Sequence, residues 1–441
     1  MLEGMVGSTL LRLTIPMIMG IFSILLINVV DTIYIGQLGL IELAGVSFTF
    51  PVVFMVMSVP FGIGIGTSAV VARSIGKGNH SEVRRLTTDS LYLTFFVMTI
   101  VAVVGLVTID PIFTLMGATR EMLPFIRDYM IVWYFGVGMV ALPIVGNNAI
   151  RATGDSKTPS FIMMSIAIIN AILDPFLIFG IGPFPMMGVE GAAMATVISY
   201  FFAFVGGLWV LGKRERMLEK GFPIWDKVFL SWRRILYIAI PATMSNMLAP
   251  VASAVLTWMV AGYGADAVAA FGIGTRLEAL AMLGVMALTS ILTPFVAQNL
   301  GAKNIDRIQI SLVYSSKFSL LWGLAAFVIL GSAAYPLSII FSDNEGVQSL
   351  TRAFLWIVPM SFGFFGLSMI SSALCNALNK PIESFSIQIL RLFVLVLPLG
   401  LIGSWSFGVL GIFGGIFLGN VISGIVGILW VKVRVLPKTE K

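Results

Sequence analysis

The chain has 441 residues, 58% of them hydrophobic and only 11% charged, where a soluble domain carries roughly 25% charged residues. So few charges cannot cover a soluble surface; a single cysteine (Cys375) excludes a disulfide framework, and a single histidine (His80) excludes a His-rich metal centre. What remains is an all-α integral membrane protein, in which the net charge of +6 reads as basic cytoplasmic loops rather than nucleic-acid binding.

Twelve apolar stretches of roughly 20–30 residues are long enough to cross a bilayer. They run 10–34, 43–72, 87–109, 122–147, 158–182, 189–211, 235–260, 268–298, 312–341, 350–376, 382–404 and 409–432. No cleavable signal peptide is expected, because the first stretch lacks a basic leader. That stretch carries Pro16 early and Asp31 late. The second holds Gly-Ile-Gly-Ile-Gly at 62–66. Inside an apolar span with no following lysine, those glycines read as helix packing rather than a nucleotide loop. The fifth carries Asn170 and Asp174, four apart on one helical face. Pro175 follows and cannot donate to the Ala171 carbonyl, which leaves an acceptor free. The eighth carries Arg276 and Glu278, and the eleventh carries Arg391. An Arg–Glu ion pair between those two helices would satisfy both charges, and a structural role fits them at least as well as a transport role.

Basic residues set the orientation. Alternate loops hold Arg73, Lys77, Arg84 and Arg85, then Arg151 and Lys157, then Lys213, Arg214, Arg216, Lys220, Lys227, Arg233 and Arg234. Lys303, Arg307 and Lys380 continue the series, and the tail adds Lys432, Arg434, Lys438 and Lys441. The intervening loops offer only Arg120. The positive-inside rule therefore predicts that both termini are cytoplasmic.

The 212–234 loop is the longest and falls near the chain midpoint. A shift of 225 aligns 15–79 with 240–304 without a gap, and twelve positions are identical, including Pro16 with Pro241 and Gly39 with Gly264. The expected domains are a six-helix lobe at 1–211, the cytoplasmic loop 212–234, and a second six-helix lobe at 235–441. Parallel repeats of this kind mark transporters.

A carboxylate deep in a bilayer costs about 2.5–3.5 kcal/mol on insertion scales, so each one demands a partner, a proton, a cation or water. Asp31 and Asp174 both fall toward the outer ends of their spans, at similar depth. With the Asn170 amide oxygen and the freed carbonyl they suit a hard monovalent cation, Na⁺ for example, and equally a shared proton. Asp31 aligns with Leu256, so this chemistry is confined to the first half.

These residues resemble the multidrug and toxic compound extrusion (MATE) family. The likeness covers nearly the whole chain. It rests on Asn28-Val29-Val30-Asp31-Thr32 with Gly36, on Asn147 through Arg151-Ala152-Thr153-Gly154-Asp155 to Pro159, on Asn170-Ala171-Ile172-Leu173-Asp174-Pro175 with Gly180, and on Gly191-Ala192-Ala193-Met194-Ala195-Thr196. The resemblance implies two pseudo-symmetric lobes in a V-shaped arrangement and cation-driven drug antiport. It implies a first-lobe cation site at Asp31, Asn170, Asp174 and Thr196, with Tyr129 and Asn147 around it. One branch of the family uses acidic residues in spans 7 and 10; 240–260 and 350–376 contain none, which points to the DinF-like branch.

The expected function is a multidrug efflux antiporter of a prokaryotic cytoplasmic membrane. It exports amphipathic, often cationic, compounds by alternating access and needs no cofactor beyond the coupling ion. H⁺ is favoured over Na⁺ because neighbouring carboxyls raise one another's proton affinity. Pro16 is the candidate weak point for bending of the first span. The chain is expected to be monomeric, with small-molecule drugs and the lipid bilayer as its partners. A lipid-linked saccharide flippase of the same superfamily is the alternative, disfavoured by the scarcity of arginines. A major-facilitator carrier would show Gly-x-x-x-Asp-Arg after its second span, and 73–90 has none. No nucleophile–base pair lies at membrane depth and no Walker sequence occurs, which argues against an enzyme and against ATP as the energy source.

Overall fold

The computed structural model describes residues 1–219, 221 and 224–437; Lys220, Lys438 and Lys441 of the basic loop and tail lie outside them. The described residues form helices α1 (Val6–Gly36), α2 (Leu40–Gly76), α3 (His80–Leu115), α4 (Leu123–Thr153), α5 (Lys157–Phe179) and α6 (Gly188–Trp209) in the first half. The second half holds α7 (Trp225–Ala261), α8 (Ala265–Ala281), α9 (Leu283–Gly301), α10 (Ile305–Ser332), α11 (Ala334–Phe341), α12 (Glu345–Ile357), α13 (Phe362–Ala377), α14 (Pro381–Ile389) and α15 (Leu397–Trp430). A bilayer offers the backbone no hydrogen-bond partners, so each apolar run closes its bonds within a helix. Eleven segments are long and apolar enough to span a membrane. The last, Pro381–Val435, folds back on itself at Gly408, so the described residues hold twelve candidate spans. Leu115, Val107 and Phe135 are more than three-quarters exposed, as expected of side chains whose solvent is hydrocarbon.

The 225-residue repeat is written into the helix ends. α1, α2 and α3 end, end and begin at 36, 76 and 80; α7, α9 and α10 do so at 261, 301 and 305. Gly78 and Lys303 take the same left-handed turn, at φ 72° and 61°. Each half finishes in a π-helical turn, at Val210–Arg214 and Val431–Val435.

Two compact units result, and they differ from the lobes drawn from hydropathy. One is Met19–Thr243; the other joins Met1–Ile18 to Met244–Lys441. α1 and α7 therefore each start in one unit and finish in the other. The two changeovers, after 18 and after 243, are themselves 225 residues apart.

In the Met19–Thr243 unit, α4 is the central helix and packs on α2, α3 and α6. Its Trp133, Tyr134 and Val137 are buried with Met98 and Ile178. The start of α7 belongs here. A side chain at Gly66 would strike the Ile235 carbonyl, and Arg234 donates to Glu82 Oε1 at 2.5 Å. Glycines of the 62–66 run thus serve close helix approach. In the other unit, α13 is the centre and packs on α9, α10 and α15, around Phe354, Phe362 and Phe413. The first turns of α1 belong with it: Gly7 faces the Tyr314 ring, and Arg307 donates to the carbonyls of Met1, Glu3 and Gly4.

The α4–α5 junction is fastened by charge. Asp155 accepts from the Thr158 backbone N–H at 3.0 Å and forms an ion pair with Arg214, whose second nitrogen donates to Thr158 Oγ1 at 2.7 Å. Burial opposes the charge on Asp155, but the Thr158 and Arg214 bonds outweigh it and hold its pKa below the ordinary 3.8. A lowered folded-state pKa means that this contribution is complete above about pH 4 and is lost as pH falls through the lowered value. Arg214 is half exposed, so screening trims the effect to about 1 kcal/mol. Asp155→Asn is therefore expected to lower thermal stability at pH 7 and to match the wild type only in stronger acid. Melting curves at pH 7 and pH 3 check this; an equal deficit at both pH values overturns it.

Candidate functional site

Four helices carry polar groups to one depth in the Met19–Thr243 unit. Asp31 and Asp174 each lie five residues before the ends of α1 and α5, and Tyr129 and Thr196 lie six and eight residues into α4 and α6. At 1.5 Å per residue these positions sit about 8–12 Å from the same end of their helices. α5 reaches that end through a left-handed Gly180 cap. α6 lies hard against it, because a side chain at Gly191 would meet the Leu177 carbonyl. That close approach brings Thr196 to Asn170.

Asn170 and Asp174, one turn apart on α5, are fully buried. Asn170 Nδ2 donates to Asp174 Oδ1 at 3.3 Å and to Thr196 Oγ1 at 3.5 Å. Thr196 Oγ1 donates to the Ala192 carbonyl at 3.1 Å. The Asp31 and Asp174 carboxyls lie within hydrogen-bonding reach of each other. Tyr129 is within electrostatic reach of both carboxyls. Among the described residues three acceptors at this cluster are buried without a donor: Asp31 Oδ1, Asn170 Oδ1 and Asp174 Oδ2. Buried acceptors normally find a donor or a cation. Two facing carboxyls cannot both stay ionised cheaply in a low-dielectric site. The arrangement can therefore take up one proton between the carboxyls. It can alternatively hold a small hard cation, with the Asn170 and Thr196 oxygens completing the set.

Tyr200 was not anticipated from sequence. It lies one turn beyond Thr196 on α6, within electrostatic reach of Asp31, and the i, i+4 spacing was its available signal. Asn147 is buried on α4, eighteen residues from Tyr129 on one continuous helix, so about 27 Å along the axis. The structure does not bring it to the carboxylates. Pro16 lies inside α1, which runs unbroken from Val6 to Gly36.

The expected ion pair of the second half is replaced by another arrangement. Among the described residues no ion pair within 4.0 Å joins Glu278 to Arg276 or Arg391. Arg276 is exposed and lies two residues from Glu278 on α8, a spacing that points side chains apart. Arg391 is buried in a π-helical stretch, Leu390–Val396. Its guanidinium stacks on the Phe365 ring at 4.1 Å and donates at 3.3 Å to Gln388 Oε1 and to Asn420 Oδ1. Asn420 passes the chain on to Ser361 Oγ at 3.1 Å. A ring face and two neutral acceptors thus make the direct contacts, while Glu278 stays within electrostatic reach of Arg391 without a contact inside 4.0 Å.

Comparison with known proteins accords with the repeat and the fold. The MatE family model matches residues 16–176 and again 241–402, and the two matches start 225 residues apart. The chain is 40% identical to the "FAD transporter" of Shewanella oneidensis, over 96% of this chain and 94% of that protein. It is 27% identical to the "Probable multidrug resistance protein NorM" of Thermotoga maritima, over 90% and 87%. Among solved structures, the Vibrio cholerae MATE transporter VcmN in its bent form superposes with a TM-score of 0.92 at 30% identity, covering 97% of this chain and 96% of that one. A twice-matched family model, a repeat in register and full-length relatives agree: the chain belongs to the multidrug and toxic compound extrusion family of membrane transporters.

Proposed function

We propose that this protein is a cation-coupled exporter of amphipathic organic compounds, with H⁺ as the coupling ion. It works in a prokaryotic cytoplasmic membrane as a monomer with both termini in the cytoplasm. The two compact units, between which the chain passes within α1 and α7, give alternating access. The observation that carries the reading is the trio of donorless buried oxygens at Asp31, Asn170 and Asp174. A proton taken up between the two carboxyls removes their repulsion and changes the net charge of the face shared by α1, α5 and α6. α1, which lacks one backbone bond at Pro16, is the helix that bends in response. Substrate release is thereby tied to ion entry.

A second reading keeps the coupling and narrows the cargo to a flavin dinucleotide. The 40% identity to a protein named an FAD transporter exceeds the 23–27% shared with several relatives named for multidrug resistance or export. A flavin dinucleotide joins an aromatic ring system to an anionic diphosphate, and the second half buries a cation, Arg391, whose hydrogen bonds go to neutral acceptors.

Proteoliposomes loaded with FAD or with ethidium, under an imposed pH or Na⁺ gradient, test both readings. Export driven by the pH gradient is the expected result. FAD export without ethidium export selects the second reading, and transport of neither compound under either gradient ends both.

A further inference from the structure

The other unit carries a groove that the transport site does not use. It lies where α10, α13 and the end of α15 meet, and it encloses about 250 Å³. Its walls are apolar, from Leu312, Leu320, Leu367 and Ile428. Two cations line it, Lys317 of α10 and Lys432 of the π-helical turn that ends α15. Among the described residues neither lysine has a carboxylate within 4.0 Å. Ser316, also in the lining, has a buried hydroxyl with no hydrogen-bond partner.

The position of Lys317 makes this unusual. It stands twelve residues into α10, about 18 Å from the helix start, on a face surrounded by outward apolar side chains. Leu321 and Leu324 are 67% and 57% exposed, and Val433 beside Lys432 is 73% exposed. This face meets hydrocarbon. An ammonium there is costly unless its stem carries it toward the interface or an anion comes to it. Lys432 lines the same groove from the turn that ends α15, and its flexible stem, like that of Lys317, can carry an ammonium group toward the interface. The apolar wall continues inward where an acyl chain lies.

We propose that this groove is a binding site for one anionic phospholipid, with its phosphate between Lys317 and Lys432 and an acyl chain along Leu312, Leu320 and Leu367. Charge selects the occupant: two cations with no carboxylate partner among the described residues, over an apolar wall, match a negatively charged headgroup carrying hydrocarbon, and basic pockets between membrane helices bind such headgroups elsewhere. A zwitterionic lipid offers the same chain without the net charge. A free phosphate offers the charge without the chain.

The full-length protein, purified from membranes into mild detergent and analysed by native mass spectrometry, reads the site directly. Added phosphatidylglycerol should bind the wild type at least about fivefold more than phosphatidylcholine, and inorganic phosphate should not displace it at equal concentration. The Lys317→Gln/Lys432→Gln protein should lose that preference, and Lys317→Arg/Lys432→Arg should keep it. Equal retention of the two lipids by the wild type overturns the proposal, and this arm needs no variant to fold. So does an unchanged preference in the Gln protein, displacement by inorganic phosphate, or dimerisation that buries the groove without lipid.

Discussion

Asp174→Asn and Asp31→Asn proteins are expected to fold, reach the membrane and lose gradient-driven efflux by at least about tenfold. Asn preserves the shape of the side chain but takes up neither a proton nor a cation's charge. The structural cost is small. Asp174 accepts one long hydrogen bond, 3.3 Å from Asn170, and such a bond contributes about 1 kcal/mol or less. Stability and transport should therefore separate: melting temperatures near the wild type, with coupling gone. Because the two carboxyls act as one unit, the double substitution should be no worse than either single one. Thr196→Val removes only the hydroxyl 3.5 Å from Asn170, so its effect should be smaller. Efflux in proteoliposomes at matched protein content decides it. Wild-type rates in either single Asn protein would remove these carboxyls from the coupling step.

The readability of this site in the sequence has a physical cause. Charges are scarce, so an acid inside an apolar run stands out, and helical periodicity alone puts Asn170 beside Asp174. Depth is equally legible, because it follows from counting residues to a span end. Rotation about the helix axis is not. Glu278 and Arg391 each lie inside a span, yet the guanidinium turns to Asn420, Gln388 and the Phe365 ring. Tyr129 and Asn147 come together by family likeness, while the continuous α4 separates them by about 27 Å. Tyr200 passes unnoticed because tyrosine carries no charge to mark it. Lys317 carries one, but it lies inside an apolar run and says nothing of orientation, which the loop lysines set.

Unit boundaries escaped for a related reason. Hydropathy marks where a helix begins, not what its first turns pack against. α1 and α7 enter as ordinary spans of their own lobes. Their early turns instead pack with the other half, through Gly7 at Tyr314 and through Ile235 at Gly66. The changeovers share the 225-residue register, and Pro16 and Pro241 stand two residues before them, in α1 and α7. One exchange, repeated in both halves, accounts for a division that composition shifts do not show.

The second large effect concerns that same close packing and lies in α15. Gly408 adopts φ 59° and ψ −137°, a conformation reserved for glycine, and the Tyr263 hydroxyl braces the turn by donating to the Ser404 carbonyl at 2.9 Å. The limbs then run antiparallel with their backbones touching: a side chain at Gly411 would collide with the Gly403 carbonyl, and one at Gly415 with Gly400. Gly414 lies on the same limb with nothing within 4 Å of a built Cβ. Gly411→Ala and Gly414→Ala thus add the same methyl with the same gain in helix propensity. They should diverge in sign. At Gly411 the obstacle is backbone, which cannot swing aside as a side-chain tip does, so the cost should be about 3 kcal/mol, the upper part of the range for overpacking. Gly414→Ala should be neutral or stabilising by up to about 1 kcal/mol, through the lost freedom of the unfolded chain. Apparent melting temperatures at one fixed scan rate compare the two without requiring reversibility. If both proteins melt with the wild type, the limbs are not in backbone contact, and Gly408 then folds the chain back without pressing one limb on the other.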